Sequence, residues 1–173
     1  MLSSQPALDR SDRTDPPEGG KFLRFAFPSG ENALLGVDFA AEIIIVRISE
    51  VLPVPQMPPY ILGAYNWRGE MLWLVDLGRL LGFSPLLDRR PIPDSAMTIV
   101  CEFGEKTVGF AVDRALDLET YDLEKLHPSD RELFSPQLIP FLRGFFLDDR
   151  NDTIIVLDAK SIFEALGNSK QSV

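Results

Sequence analysis

Apolar and polar residues alternate over short stretches along most of this chain, which is the pattern of half-buried β-strands. Turn residues 28–30 and 104–106 each separate two such stretches, so both places are predicted to be hairpins. Helices are expected only as short pieces after Asp76 and Asp158. The predicted strands are residues 22–27, 33–37, 61–66, 70–75, 98–103, 107–112 and 153–157. The pattern therefore predicts an all-β protein.

A repeated order of landmarks indicates that the chain contains two copies of one unit. Apolar hairpins end at Asp38 and at Asp113, an offset of 75 (113 − 38 = 75). The pair Arg68-Gly69 recurs as Arg143-Gly144 at the same offset (143 − 68 = 75). We therefore expect a duplicated β unit of about 75 residues that forms two small barrels packed together, because closing a sheet removes its exposed edges. Whether the copies exchange strands stays open.

Each copy also contains an apolar strand that ends in aspartate, at Asp76 and at Asp158. The offset between them is 82 (158 − 76 = 82), and residues 148–152 are predicted to supply the extra length as a solvated loop. An aspartate at this place can accept the free amides of a helix's first turn. Gly82 and Gly167 then suit the left-handed position that ends a helix.

The termini and one internal segment do not fit the strand pattern. Residues 1–20 are rich in Ser, Asp, Pro and Gly and are expected to form a disordered tail. Residues 21–167 are predicted to form the two-lobed domain, followed by a short tail at residues 168–173. Residues 84–94 contain three prolines and are interpreted as a linker.

Composition excludes several classes of partner and site. The net charge of −9 argues against nucleic acid and against anionic membrane surfaces, since both need clustered basic residues. No apolar run approaches the roughly 20 residues that span a bilayer, and residues 1–20 lack the apolar central region that a secretory signal is expected to have. Cys101 is the single cysteine, so an internal disulfide is impossible. We expect a cytoplasmic protein without direct membrane insertion.

Catalytic and metal-binding patterns are also lacking. His127 is the only histidine and has no companion at metal-ligand spacing, so a solvated or capping role is expected. Cys101 lies in an apolar strand and is expected to be buried. Residues 148–152 resemble a calcium loop in composition, but the positions that need glycine and glutamate hold Thr153 and Ala159. No enzyme activity, metal or cofactor is predicted.

Residues 53–82 carry the most unusual combination of residue types. A Pro-rich approach leads to a strand, a turn at Asn66, Trp67, Arg68 and Gly69, and a second strand. Aromatic residues and arginine are enriched where proteins bind each other most strongly. Two readings stay open from the residues alone: Trp67 in the core and Arg68 solvated, or Arg68 projecting from a rigid hairpin toward a partner's carboxylates or carbonyls.

The run GAYNWRGEMLWLVDLGRLLG resembles the signature of the CheW-like family, in which a strand ending in N-x-R-G precedes an apolar strand, an Asp-Leu pair and a short helix. The resemblance extends over residues 21–167. It implies two linked, five-stranded SH3-like barrels and a non-catalytic adaptor. The implied partners are the regulatory domain of a CheA-type histidine kinase and the cytoplasmic tip of a chemoreceptor.

Carried over by residue, the resemblance implies that Asn66, Arg68 and Gly69 lie at or beside the receptor site, together with Trp67. Gly63 and Asp76 are expected to be architectural, and Asp158 occupies the matching place in the second copy. Trp67 departs from the family, which often has an aliphatic residue there, and so does Trp73, where proline is common. The signal, the receptor and the motility system stay open. The alternative is a peptide-binding SH3-like module outside chemotaxis, which would bind proline-rich peptides alone.

Overall fold

A computed structural model describes residues 19–171, which contain ten β-strands and two α-helices. Helix α1 is Leu77–Leu81 and helix α2 is Ala159–Gln171. Single 3-10 turns connect several strands. In chain order, the strands are β1 Gly19–Ala26, β2 Asn32–Gly36, β3 Ala40–Arg47, β4 Ile61–Trp67, β5 Glu70–Asp76, β6 Ser95–Phe103, β7 Lys106–Val112, β8 Arg114–Asp122, β9 Leu142–Leu147 and β10 Thr153–Leu157.

The strands form two five-stranded sheets. Lobe 1 has the order β8-β1-β2-β10-β9, and lobe 2 has the order β3-β6-β7-β5-β4. The predicted all-β class with two five-stranded units is therefore confirmed. Within the described residues, strand pairing does not join the two outermost strands of either sheet, so each lobe is an SH3-like curled sheet rather than a closed barrel.

The two copies of the repeated unit exchange strands, a question that the sequence left open. Each sheet combines the first two strands of one copy with the last three strands of the other. The parallel strand pair of each sheet has the same register. In lobe 1, Leu34 of β2 pairs with Val156 of β10, and in lobe 2, Gly109 of β7 pairs with Leu74 of β5. Leu34 and Gly109 differ by the repeat offset of 75 (109 − 34 = 75), so the same position is paired in both sheets. The copies therefore fold as one intertwined unit.

The pairing corrects one landmark of the repeat. Gly63 lies opposite Leu74, and Gly144 lies opposite Val156, so Gly144 is the counterpart of Gly63 and not of Gly69. Isolated bridges at Leu52 and at His127 precede these glycines, and their offset is again 75 (127 − 52 = 75).

Most of the extra length of the second copy lies before β9, which contradicts its predicted location at residues 148–152. The offset between Gly63 and Gly144 is 81 (144 − 63 = 81). The bridges at Leu52 and His127, which precede these glycines, have an offset of 75, so the difference is six residues (81 − 75 = 6). The additional length therefore lies between His127 and Gly144. The β9–β10 hairpin adds only one more position, which gives the offset of 82 at Asp158.

One large buried cluster joins the lobes. It contains Phe25 of β1 and Ile155 of β10 from lobe 1, and Ile99 of β6 and Phe110 of β7 from lobe 2. Phe163 of α2 completes it, with its ring at 5.9 Å from the ring of Phe110 in an edge-on geometry. Smaller clusters fill the interior of each lobe. Shared burial on this scale stabilises the two lobes as one body.

The boundaries differ slightly from those expected. Strand β1 begins at Gly19, so Gly19 and Gly20 are paired rather than part of a tail, while residues 1–18 of that predicted tail lie outside the described residues. Helix α2 continues to Gln171, so Gly167 lies inside the helix instead of ending it. The predicted linker at residues 84–94 includes a buried anchor, Leu86, which is only 2% exposed.

Candidate functional site

The β4–β5 hairpin turns on Arg68 and Gly69, and both have a positive φ, at 54° and 81°. Two-residue hairpin turns that match the twist of a sheet require this conformation at both central positions. The side chain of Asn66 stabilises the turn, because its Oδ1 accepts a hydrogen bond from the Gly69 amide at 3.0 Å. Arginine rarely adopts a positive φ, so the turn holds Arg68 in an unusual backbone conformation.

Arg68 is both held in place and accessible. Its guanidinium forms an ion pair with Glu42 of β3 and lies over the ring of Trp67, 5.0 Å from the ring centroid. Its side chain is nevertheless 68% exposed. Strands β3 and β4 are the two outermost strands of lobe 2, so this contact connects the edges of the sheet that strand pairing leaves apart.

Trp67 is partly buried against the interior of lobe 2. It packs beside the buried residues Val46, Leu72, Leu74 and Val100. Its indole N–H is buried and has no hydrogen-bond acceptor among the described residues. Trp67 is therefore partly buried, whereas Arg68 is exposed and lies over the Trp67 ring with its guanidinium paired to Glu42.

Exposed apolar side chains line one groove that includes Glu42, the ion-pair partner of Arg68, and one pocket beside the turn. A groove of about 590 Å³ runs between the lobes and is lined by Glu42 and by two exposed apolar side chains, Ile43 and Leu118. A smaller pocket of about 260 Å³ beside the turn is lined in part by Leu52 and Met71, which are 69% and 64% exposed. These four apolar side chains are therefore accessible at the surface near the turn.

Sequence reasoning missed these flanking residues. A signal was available in the run Ile43, Ile44 and Ile45, because consecutive residues of a strand point to opposite faces. An unbroken apolar run therefore places apolar side chains on both faces, and here Ile43 and Ile45 are exposed.

A structural role in the fold suits the surroundings of Gly63, Asp76 and Asp158. Gly63 has a φ of 148°, and a Cβ atom there would lie closer than 3.0 Å to the carbonyl oxygen of Leu52. Asp76 is 2% exposed and is the N-cap residue of α1. Asp158 precedes α2 in the same way, and its Oδ1 accepts a hydrogen bond from the Ser161 amide at 3.2 Å.

The carboxylate of Asp76 ties two segments together. Its Oδ1 accepts from the Arg79 amide at 3.2 Å, and its Oδ2 accepts from the Leu86 amide at 2.8 Å. Burial raises the pKa of this carboxyl above its usual value, while the two amides act in the opposite direction. The buried carboxylate thus fixes the start of α1 against the segment that leads to β6.

Other candidate residues have structural surroundings. His127 stacks on the ring of Phe145 at 4.9 Å and exchanges two backbone hydrogen bonds with it. Asp148 Oδ1 accepts from the amides of Arg150 and Asp152 within the β9–β10 turn. Among residues 19–171 there is no group of three or more His, Cys, Asp and Glu side chains placed to hold a metal ion. No helix in the same range is long and apolar enough to cross a membrane.

Cys101 is expected to be unreactive in the folded protein. It is completely buried, and burial raises the pKa of its thiol far above the usual range, so almost no thiolate forms at neutral pH. A disulfide reagent such as DTNB should label no thiol per chain in buffer and one in concentrated urea. Rapid labelling in buffer would contradict the packing of β6 in the shared core.

The fold and the exposed hairpin define a class of protein: a two-lobed β protein with an exposed arginine on a tight turn, a residue type enriched where proteins bind each other. Comparison with known proteins identifies the family. The family model for the CheW-like domain matches residues 26–167, which is most of the chain. The chain therefore belongs to the CheW-like family.

Curated relatives and a solved structure agree with this membership. The chain is 34% identical over 127 residues to the probable chemotaxis protein CheW of Rhizobium etli, covering 70% of this chain and 79% of the relative. It is 28% identical over 146 residues to the chemotaxis protein CheW of Rhizobium meliloti, covering 82% and 87%. The crystal structure of the scaffolding protein TtCheW from Thermoanaerobacter tengcongensis has a similar fold, with a TM-score of 0.66 at 20% identity over 80% of this chain and 88% of that one.

Proposed function

We propose that this chain is a non-catalytic adaptor that couples chemoreceptors to a CheA-type histidine kinase. The observation that carries the proposal is the CheW-like family match over residues 26–167, together with relatives that are named as chemotaxis proteins. Partners of these two kinds are implied by the family. The adaptor acts by geometry, since one face docks on the kinase and another on the receptor.

The receptor face is proposed to comprise Asn66, Trp67, Arg68 and Gly69 with the groove beside them. Arg68 supports this assignment because it is exposed, held at a fixed place by the turn, and able to donate several hydrogen bonds. The apolar residues of the adjoining groove add surface that a partner could bury. The regulatory domain of the kinase docks elsewhere on the two lobes.

A calorimetric titration tests the proposal most directly. The protein is titrated with the regulatory domain of a CheA-type kinase from the same organism, and separately with a soluble fragment that contains a chemoreceptor tip. Saturable binding to both, with dissociation constants on the order of micromolar, is the expected result. Binding to proline-rich peptides and to neither of these proteins would contradict the adaptor and favour an SH3-like peptide module.

Arg68→Ala is expected to weaken binding of the receptor tip by about 1–3 kcal/mol, or roughly 5- to 150-fold in affinity, because a charged hydrogen bond at an interface is lost. The measurement is the same titration, performed on a variant whose circular dichroism and unfolding match the wild type. Arg143→Ala is the matched control, since Arg143 is an exposed arginine on β9 of the other lobe. Equal affinities for wild type and Arg68→Ala would remove Arg68 from the receptor face.

A further inference from the structure

We propose that Trp67 is a positioning residue, which holds the guanidinium of Arg68 in the conformation that this protein offers to its partner. The part of this inference that concerns the partner rests on the proposed function. The geometry concerns three side chains: Trp67 and Arg68 on the β4–β5 hairpin and Glu42 on β3.

An exposed arginine normally samples many rotamers, and binding must restrict them at an entropic cost. Arg68 is restricted in three ways before any partner arrives. The turn fixes its backbone at a positive φ, the carboxylate of Glu42 pairs with Nη2, and the face of the Trp67 ring lies 5.0 Å from the guanidinium carbon. The side chain is therefore preorganised although most of its surface is exposed.

The Trp67 ring can serve as a platform because it is anchored below. It packs on the interior cluster of lobe 2, which includes Leu72 and Leu74, both about 1% exposed. A ring that is held by a close-packed cluster keeps its orientation, whereas a fully exposed ring would move with the side chain above it.

The unpaired indole N–H supports the same interpretation. Burying a hydrogen-bond donor without an acceptor costs free energy. An aliphatic side chain at position 67 has no such donor and would avoid this cost. Among residues 19–171 the indole nitrogen has no acceptor. What the tryptophan supplies and an aliphatic side chain cannot is a π face, and the guanidinium of Arg68 occupies that face.

The arrangement also specifies the chemistry of the partner. A guanidinium has five N–H donors, and the acceptor side chain that it meets within residues 19–171 is Glu42. The remaining donors suit a carboxylate or backbone carbonyls on the partner, in one fixed direction. Loss of the Trp67 ring should weaken this contact without removing its charge.

The test compares the affinities of Trp67→Leu, Trp67→Phe, Arg68→Ala and the double variant Trp67→Leu/Arg68→Ala for the receptor-tip fragment. Trp67→Leu is expected to weaken binding by about 2- to 10-fold, and Trp67→Phe by less, because phenylalanine keeps a π face. The double variant should bind no more weakly than Arg68→Ala alone, since Trp67 acts through Arg68. Independent, multiplicative losses would overturn the inference.

Leu86→Val controls for simple loosening of the lobe. Leu86 is 2% exposed and packs against Ala96 of β6 and Ala111 of β7, in a cluster of lobe 2 that does not include Trp67. This variant should lower stability and leave the affinity for the receptor tip unchanged. If it weakens binding as much as Trp67→Leu does, Trp67 contributes packing only and the inference fails.

A measurement without any partner separates this inference from the proposed function. The ring current of Trp67 should shift the NMR signals of the Arg68 side-chain protons upfield, with the shift lost in Trp67→Leu and retained in part in Trp67→Phe. Failure of the wild type to bind the receptor tip would overturn the proposed function while the shift still established the contact. Absence of the shift in the wild type would overturn the positioning role whether or not the protein binds.

Discussion

Gly63→Ala is expected to lower the free energy of unfolding by about 3–5 kcal/mol, a large share of the roughly 5–15 kcal/mol that stabilises a typical domain. The new Cβ would approach the backbone oxygen of Leu52 more closely than 3.0 Å. Leu52 and Ala64 exchange two backbone hydrogen bonds of 2.9 Å at this point, so relieving the clash would break both. Each bond contributes about 0.5–1.5 kcal/mol, and the positive φ adds strain. Urea unfolding followed by circular dichroism measures the loss.

Gly69→Ala is the matched control for Gly63→Ala. Gly69 also has a positive φ, but among the described residues no atom beyond its chain neighbours lies within 4 Å of the position of its added Cβ. Gly69→Ala should therefore lower the free energy of unfolding only by the cost of the strained backbone, about 1–2 kcal/mol. Gly144→Ala should behave like Gly63→Ala, because its Cβ would meet the carbonyl oxygen of His127 in the same way. Equal losses for Gly63→Ala and Gly69→Ala would show that close approach of the backbone is not what requires glycine at position 63.

The duplication was predictable from sequence, but the exchange of strands was not. Local alternation of apolar and polar residues specifies strands, and the aspartates at the end of β5 and directly after β10 mark equivalent places in the two copies. The same alternation would satisfy β2 paired with β5 of its own copy or with β10 of the other. The choice depends on long-range packing in the shared core, which no short sequence pattern reports.

One apparent landmark of the repeat was coincidental. Arg68-Gly69 and Arg143-Gly144 share an offset of 75, yet Gly69 is in a tight turn and Gly144 is at a close approach of two backbones. The true counterpart of Gly144 is Gly63, at an offset of 81. Glycine is used for both purposes, so residue identity alone could not distinguish them.

Part of the candidate site was also accessible from sequence. Asn66, Trp67, Arg68 and Gly69 stood out because their residue types suit a tight turn and a binding surface. Glu42 did not, because it is distant from Arg68 in the chain and reaches it only when the outermost strands of lobe 2 curl toward each other. Strands β3, β8 and β9 were likewise not predicted as separate elements.

Asp76 and Asp158 occupy equivalent positions in the two copies, so they offer an internal comparison of one aspartate in two environments. Asp158→Ala removes a helix-capping bond from the Ser161 amide and a bond from the Ser161 hydroxyl. The site is partly buried and the freed hydroxyl is partly exposed, so the loss should stay near the typical capping cost of about 1 kcal/mol. Asp76→Ala removes the equivalent bond to Arg79 and, in addition, the carboxylate oxygen that accepts from the buried Leu86 amide. A buried amide without an acceptor costs about 1–3 kcal/mol more.

Asp76→Ala is therefore expected to lower the free energy of unfolding by about 2–3 kcal/mol. This is less than the sum of the largest cost of a lost helix cap and the largest cost of an unpaired buried amide. Burial raises the pKa of Asp76 because burying the charged carboxylate is unfavourable. Alanine removes this unfavourable burial together with the two hydrogen bonds, so the two effects partly cancel. Urea unfolding of both alanine variants at neutral pH measures the difference. Asp76→Asn should fall between wild type and Asp76→Ala, since its single carbonyl oxygen can replace only one of the two acceptors. Equal losses for Asp76→Ala and Asp158→Ala would mean that the Leu86 contact adds nothing, and that the segment from α1 to β6 is held by the packing of Leu86 alone.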